Sequence, residues 1–371
     1  MAVNRPSMSA YSLTCVAAGA LLLSGCGSDN AVPESMALPV PEDLACPPGD
    51  ISGAGSSAQE NAMVTWIAGY QTACEDSTVY YNSIGSGGGR SQFIDRAVMF
   101  AGTDAALDGA ETAEARERCE GSEPINLPAY VVPIAVAFNL PGVDSLNLSP
   151  TTIADIFNQQ IDYWDDERIQ ADNPEADLPH TRVVPVNRSD ESGTTENFAR
   201  YLQAAAGDAW PHEAHGSWPI VPAEAGQGNS GVASAVRSSE GSVGYVEASF
   251  AEGMSTARVG VGGEFVELSP ESAGAILAAS PLREGNTEHD HALELDYNTQ
   301  EPGTYPIVLV SYEVVCLGYS DAGEVALLQD FLRYVVSEEG QQAVSDETGS
   351  APLPEDIRSD LQAAINAIEV T

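Results

Sequence analysis

The chain has 371 residues, 43% of them apolar, so it is long enough for two ordinary domains with a buried core and too apolar to be disordered. Its charge is lopsided: 55 acidic residues face 14 basic ones, a net −41, and all 14 are arginine. A chain with no lysine and no cationic surface excludes nucleic-acid binding, a Schiff base and a P-loop, and it disfavours an anionic ligand wherever surface charge decides binding.

The N-terminus reads as a targeting segment. Arg5 precedes an apolar stretch over residues 13–23, too short to span a bilayer but right for a signal peptide. The stretch ends in Leu23-Ser24-Gly25-Cys26, which resembles a bacterial lipobox, where the cysteine becomes the acylated N-terminus. Residues 1–25 are therefore expected to be a lipoprotein signal peptide. Cys26 would be the lipidated residue, inserted in the lipid bilayer at the extracytoplasmic face of the cell membrane. Residues 26–44, rich in Pro, Asp, Glu and Ser, read as a flexible tether. Cys15 leaves with the leader. Cys46, Cys74, Cys119 and Cys316 remain, an even number in an oxidising compartment, with three pairings open. Cys46 and Cys74 flank the first strand–helix unit and are placed to tie its ends, which would leave Cys119 for Cys316.

From residue 50 the pattern is strand, small-residue turn, helix, repeated. Ile51 to Gly55 is a short strand, and Met63, Trp66, Ile67 and Tyr70 then fall on one face of a helix. Thr78-Val79-Tyr80-Tyr81 is a second strand, residues 85–89 a glycine-rich turn and residues 91–98 a short helix. Val98-Met99-Phe100-Ala101 is a third strand, ending at Gly102-Thr103-Asp104. Such alternation predicts an α/β fold with mostly parallel sheets covered on both faces. Two long apolar runs, 130–140 and 305–317, bracket further units, including a strand over 181–186 and a helical face at Phe198, Tyr201 and Leu202. The chain is expected to cross into a second lobe and return. Residues 206–230 and 284–304 read as loops.

Ligands of open α/β sheets bind beyond the carboxyl ends of strands, where helix N-termini point. Four corners there carry one kind of chemistry: Ser56-Ser57-Ala58, Gly85-Ser86-Gly87, Asp104, and Arg188-Ser189-Asp190-Glu191-Ser192-Gly193-Thr194-Thr195. Hydroxyls beside small residues let main-chain N–H groups reach an oxyanion without formal charge. Arg188 adds a planar fork that grips two oxygens of a tetrahedral anion. Singly, each corner is the mark of a cap or a turn; together, in strand–turn–helix context, they favour a site.

These corners stand in a familiar order, followed by Gly226-Gln227-Gly228-Asn229-Ser230-Gly231 and Gly244-Tyr245-Val246-Glu247. Over residues 50–350 the chain resembles the phosphate-binding lipoproteins of phosphate-specific ABC importers. The resemblance implies a two-lobed periplasmic-binding-protein fold of type II with two crossover hinge strands. Residues 45–134 and 310–371 would form lobe I, and 135–309 lobe II. It implies capture of inorganic phosphate by lobe closure, delivery to ABC permease subunits, no cofactor and no reaction on the ligand. Carried over, Ser57, Ala58, Ser86, Asp104, Arg188, Ser192, Gly193 and Thr194 would contact phosphate, with Asp104 accepting the hydrogen of phosphate and Asp190 orienting Arg188. The family often has Thr-Phe where this chain has Ser57-Ala58, which keeps a hydroxyl and an N–H but drops an apolar wall.

Other signals are weaker. Gly226-x-Gly228-x-x-Gly231 matches the dinucleotide pattern, but Pro219 and Pro222 interrupt the approach and no clear strand precedes it, so it reads as a helix start. His212-x-x-His215 and His289-x-His291 lie in acidic loops without a third ligand and read as surface histidines, not a metal site. The competing function is a secreted phosphomonoesterase with Ser192 as nucleophile, but no histidine lies near any corner in sequence to serve as its base.

Overall fold

The structure, a computed structural model, describes residues 38–371; the expected signal peptide, Cys26 and the expected tether up to residue 37 lie outside the described residues. Strands β1 (Gly49–Gly55), β2 (Ser77–Ser83), β3 (Phe100–Thr103), β4 (Pro124–Phe138), β5 (Leu146–Leu148), β6 (Val184–Arg188), β7 (Glu224–Gly226), β8 (Ser242–Glu247), β9 (Ser255–Val261), β10 (Glu264–Val266) and β11 (Val308–Cys316) set the frame. Around them lie helices α1 (Glu60–Ala73), α2 (Ser86–Ile94), α3 (Gly109–Arg118), α4 (Pro150–Phe157), α5 (Glu167–Asp172), α6 (Gly193–Ala205), α7 (Gly228–Ser238), α8 (Pro270–Ala279), α9 (Ala322–Val335), α10 (Glu338–Thr348) and α11 (Glu355–Asn366).

The main sheet runs β2-β1-β3-β11-β4-β8-β6-β7. Its flanks are parallel, β2-β1-β3 on one side and β8-β6-β7 on the other, as βα units require. Its centre is antiparallel: β11 runs against β3 and β4, and β4 against β8. Both long strands come from the apolar runs, and every residue of each is buried. β4 joins the two halves, pairing with β11 from Pro124 to Pro133 and with β8 from Ile134 to Phe138. The β11–β4 register slips between Ser311 and Tyr312, a bulge at the crossing point.

Aromatic packing fixes the helices on each half. Tyr70 of α1 meets Phe331 and Tyr334 of α9, and Phe331 meets Phe100 of β3. In the other half Phe157 of α4, Phe198 of α6 and Tyr245 of β8 form one cluster with Trp218. Met63, Trp66 and Tyr70 are buried, as the periodicity of α1 predicts.

Three local readings are corrected. The glycine run 85–89 is not merely a turn: Gly85 caps α2 at φ 92° and the next three glycines lie in its first turns, because the packing of Phe93 outweighs their weak helix propensity. A strand, β7, does precede the 226–231 glycines, followed directly by α7. At three residues it is too short to show a hydrophobic period. Finally, residues 38–44, expected as the end of a tether, lie against the fold, with Val40 and Leu44 partly buried on the core. Just beyond them the Ala45 and Cys46 N–H groups donate to Asp330 on α9, each at 3.0 Å.

The disulfides are Cys46–Cys74, 28 residues apart, and Cys119–Cys316, 197 apart. The chain-entropy argument makes the longer loop the stronger staple, about 5 kcal/mol against about 3.5. Replacing Cys119 and Cys316 by serine should therefore lower the urea midpoint further than replacing Cys46 and Cys74. Equal losses would show that loop closure does not govern.

Candidate functional site

Four helix N-termini meet where the two parallel flanks point their carboxyl ends at each other: α1 and α2 from one half, α6 and α7 from the other. The first-turn N–H groups there have no intrahelical acceptor, so the site is electropositive without net charge. Each residue expected to contact the ligand is buried, Asp190 behind Arg188 is partly buried, and the four corners come together.

Asp104 follows the end of β3 and stands at the centre. Its Oδ1 accepts from Ser311 Oγ at 2.7 Å. Its Oδ2 accepts from Ser86 Oγ at 3.3 Å and, across the cleft, from Thr194 Oγ1 at 3.5 Å. The Asp104 N–H in turn donates to Ser86 Oγ at 3.2 Å, and Asn197 Nδ2 on α6 donates to the Asp104 carbonyl at 2.7 Å. Burial raises the Asp104 pKa, while the hydroxyl donors and the Arg188 charge oppose that rise. The fit is tight: a Cβ on Gly193 would lie 2.6 Å from Asp104 Cβ and 2.7 Å from Ser86 Oγ, so only glycine lets α6 approach.

Arg188 ends β6, fully enclosed. Its Nε donates to Asp190 Oδ1 at 2.8 Å and its Nη2 to Asp190 Oδ2, while Nη1 lies 3.4 Å from Thr194 Oγ1. Burial pushes the Asp190 carboxyl up, but the bonds and charge of Arg188 outweigh it and leave the pKa below its usual value. Asp190 also accepts the Gly228 N–H at 3.1 Å, which joins the Arg188 corner to α7. Gly85 faces this loop at positive φ, where a Cβ would meet Asp190 Oδ2 at 2.6 Å. Ser192 caps α6 by accepting the Thr195 N–H at 3.2 Å, and among the described residues no histidine bonds to it.

The Ser57 corner differs in one respect from its expected form. The Ala58 N–H donates to Ser56 Oγ at 3.0 Å, a local serine turn that satisfies it within the chain. Ser57 Oγ instead meets Asn229 of α7, from whose N–H and Nδ2 it accepts at 3.1 Å each.

Sequence reading missed Ser311, Asn197 and Asn229. Asn229 lies in the glycine run that carries part of the family resemblance and otherwise reads as a helix start, with no contact role assigned to it. Ser311 is a lone hydroxyl in an otherwise apolar buried strand, and that break in pattern was the available signal. Glu313, two residues on, is the same kind of break: its Oε1 accepts from Gln59 Nε2 at 2.8 Å and its Oε2 is buried with no partner among the described residues. Glu247, at the end of β8, accepts from Tyr130 at 3.0 Å and from Ser249. Burial raises both acids, Glu313 well above its ordinary value and Glu247 up to about 7.

A family model described as a PBP superfamily domain matches residues 42–339. Phosphate-binding protein PstS 3 of Mycobacterium tuberculosis is 39% identical over 362 residues, covering 95% of this chain and 96% of its own length. The PstS protein of Methanocaldococcus jannaschii is 31% identical over 335 residues, covering 85% of each. Among solved structures, a high-affinity periplasmic phosphate-binding protein bound with phosphate matches with TM-score 0.71 at 22% identity, over 85% of this chain and 93% of that one. A human phosphate-binding apolipoprotein matches with TM-score 0.68 at 21% identity, over 85% and 94%. At such identities the structural likeness is one of fold.

The buried acids make stability depend on pH. A carboxyl raised in the folded state binds its proton there more readily than in the unfolded chain. Its stabilisation is therefore present below about pH 4.5 and is lost as pH rises through its folded value. For Glu247 that window closes near pH 7 and spans on the order of 3 kcal/mol. Glu247→Gln keeps the shape and removes the titration, so denaturant midpoints of the variant should fall less between pH 5 and 8 than those of the parent. Parallel curves would contradict the assignment.

Proposed function

This chain belongs to the PstS family of phosphate-binding proteins within the PBP superfamily, and we propose that it captures inorganic phosphate outside the cytoplasmic membrane and delivers it to an ABC permease without reaction on the ligand. The observation that carries this reading is the convergence of four helix N-termini, buried hydroxyls and one guanidinium around a buried carboxylate. That donor set suits a tetrahedral oxyanion. The single acceptor suits an oxyanion that still carries a hydrogen.

In this reading residues 45–134 with 310–371 form one lobe and residues 135–309 the other, with β4 and β11 as crossover strands. Ser57, Ser86, Ser192 and Thr194 donate hydroxyl hydrogens. Gly193 donates its N–H, and Ala58 shares its N–H between Ser56 and the anion. Arg188, held planar by Asp190, grips two oxygens. Closure excludes water and strengthens each of these bonds. Cys26 would anchor the whole to the outer face of the membrane.

Asp104 supplies the discrimination. The Ser311 hydrogen bond on Oδ1 favours the ionised carboxylate, and Oδ2 then accepts the hydrogen of phosphate. Sulfate has no hydrogen to give and would set a lone pair against a buried charge. Sites built on a ligand hydrogen reject analogues lacking it by roughly 10⁴. Calorimetric titration of protein stripped of phosphate should show tight phosphate binding and negligible sulfate binding, and Asp104→Asn should erase most of that preference. Absence of phosphate binding by the parent protein would overturn the function; an unchanged preference in the variant would overturn the role of Asp104.

The acidic exterior repels an incoming anion at long range, and salt mutes that repulsion. Stopped-flow association rates for phosphate should therefore rise with ionic strength. A rate that falls would contradict a site reached through a net-negative field.

A further inference from the structure

Asn229 opens α7 on the wall of the cleft opposite Ser57 and is fully buried. Its amide has one orientation, because Oδ1 accepts the Glu247 N–H at 2.8 Å and so turns Nδ2 towards the cleft. From there the residue contacts two of the proposed phosphate donors. Its N–H and Nδ2 both donate to Ser57 Oγ at 3.1 Å, and Nδ2 also reaches Thr194 Oγ1 at 3.3 Å.

A hydroxyl has two acceptor lone pairs and one hydrogen, and alone it serves a donor or an acceptor equally well. With both lone pairs of Ser57 engaged by Asn229, Ser57 has only its hydrogen left to offer. Thr194 is in the same position, since its Oγ1 accepts from Asn229 Nδ2 and from Arg188 Nη1 at 3.4 Å. Its hydrogen faces Asp104 Oδ2 at 3.5 Å, the direction of the cleft.

We propose that Asn229 is a specificity-determining positioning residue: by filling the lone pairs of Ser57 and Thr194 it turns two hydroxyls of either polarity into obligate donors for the anion. Ser57 and Asn229 stand on opposite sides of the cleft, so Ser57 is committed only when the cleft is closed. Closure and donor polarity are thereby linked through one side chain. The inference rests on the phosphate reading above.

The test is a double-mutant cycle read by calorimetry with inorganic phosphate, on the parent protein, Asn229→Ala, Ser57→Ala and the double variant. Asn229→Ala keeps the main-chain N–H on Ser57 but frees one lone pair each of Ser57 and Thr194, and should weaken binding about 10- to 100-fold, the cost of a buried polar group left without its proper partner. In the Ser57→Ala background the same change should cost markedly less, because only the Thr194 contact remains to be lost. Losses that multiply would show a plain structural strut and overturn the proposal. Asn229→Asp guards against misfolding: it keeps the volume and the acceptor for the Glu247 N–H but has no Nδ2 donor. It should lose at least as much affinity, and unchanged affinity in it would equally overturn the proposal. A parent protein that fails to bind phosphate sinks the phosphate reading itself; a parent that binds, with multiplying losses, sinks this inference alone.

Discussion

A carboxylate can stay ionised out of water only if donors meet its lone pairs and a positive charge stands near, and Asp104 imposes that demand on the whole fold. Its partners come from distant parts of the chain. Ser311 arrives on β11, Ser86 at the start of α2, Thr194 at the start of α6, and the guanidinium at the end of β6. No local segment could assemble them. The sheet order does it: β11 lies beside β3, which puts Ser311 next to the residue that follows β3. The parallel flanks then bring their helix N-termini to the same place, and glycine at 85 and 193 lets the two halves close on it.

This explains which parts of the protein were legible in sequence. Strand–helix alternation, the face of α1, the two long apolar runs and the hydroxyl corners each follow from short-range pattern, and they appear in the structure near their expected places. What escaped is what depends on tertiary partners. The glycine run 85–89 looked like a turn because helix propensity is a local measure, whereas α2 is held by burial of Phe93. Strand β7 escaped because three residues carry no period and pair only with β6. Ser311 and Asn229 were written among residues already explained in another way, one as a buried strand and the other as a helix start. Asn229 reaches its partner Ser57 across 172 residues, a separation at which sequence spacing carries no geometry.

The charge of the chain belongs in the same account. The site holds one guanidinium, and that guanidinium already faces Asp190 and lies within Coulombic reach of Asp104, so the formal charges of the site do not favour an anion. Attraction must come from oriented dipoles at contact distance: first-turn N–H groups, and hydroxyls whose lone pairs are otherwise engaged. Such groups cost no ionic desolvation, and they work inside a negatively charged protein because the surface carboxylates are screened over about 8 Å at physiological salt.

The buried acids complete the logic. The charge of Asp104 adds to the rise of both Glu247 and Glu313, and an ionised trio beside a bound anion would oppose binding. Burial raises the first two, which favours their protonated, neutral forms. Burial raises Asp104 as well, but its hydroxyl donors and Arg188 oppose that rise and favour the carboxylate form as the acceptor. Glu247 also ties this arrangement to the opposite wall, since its N–H is the donor that fixes the amide of Asn229. In a protein with −41 overall, burial thus opposes ionisation at Glu247 and Glu313, while the Arg188 guanidinium compensates Asp190 in the donor-lined cleft.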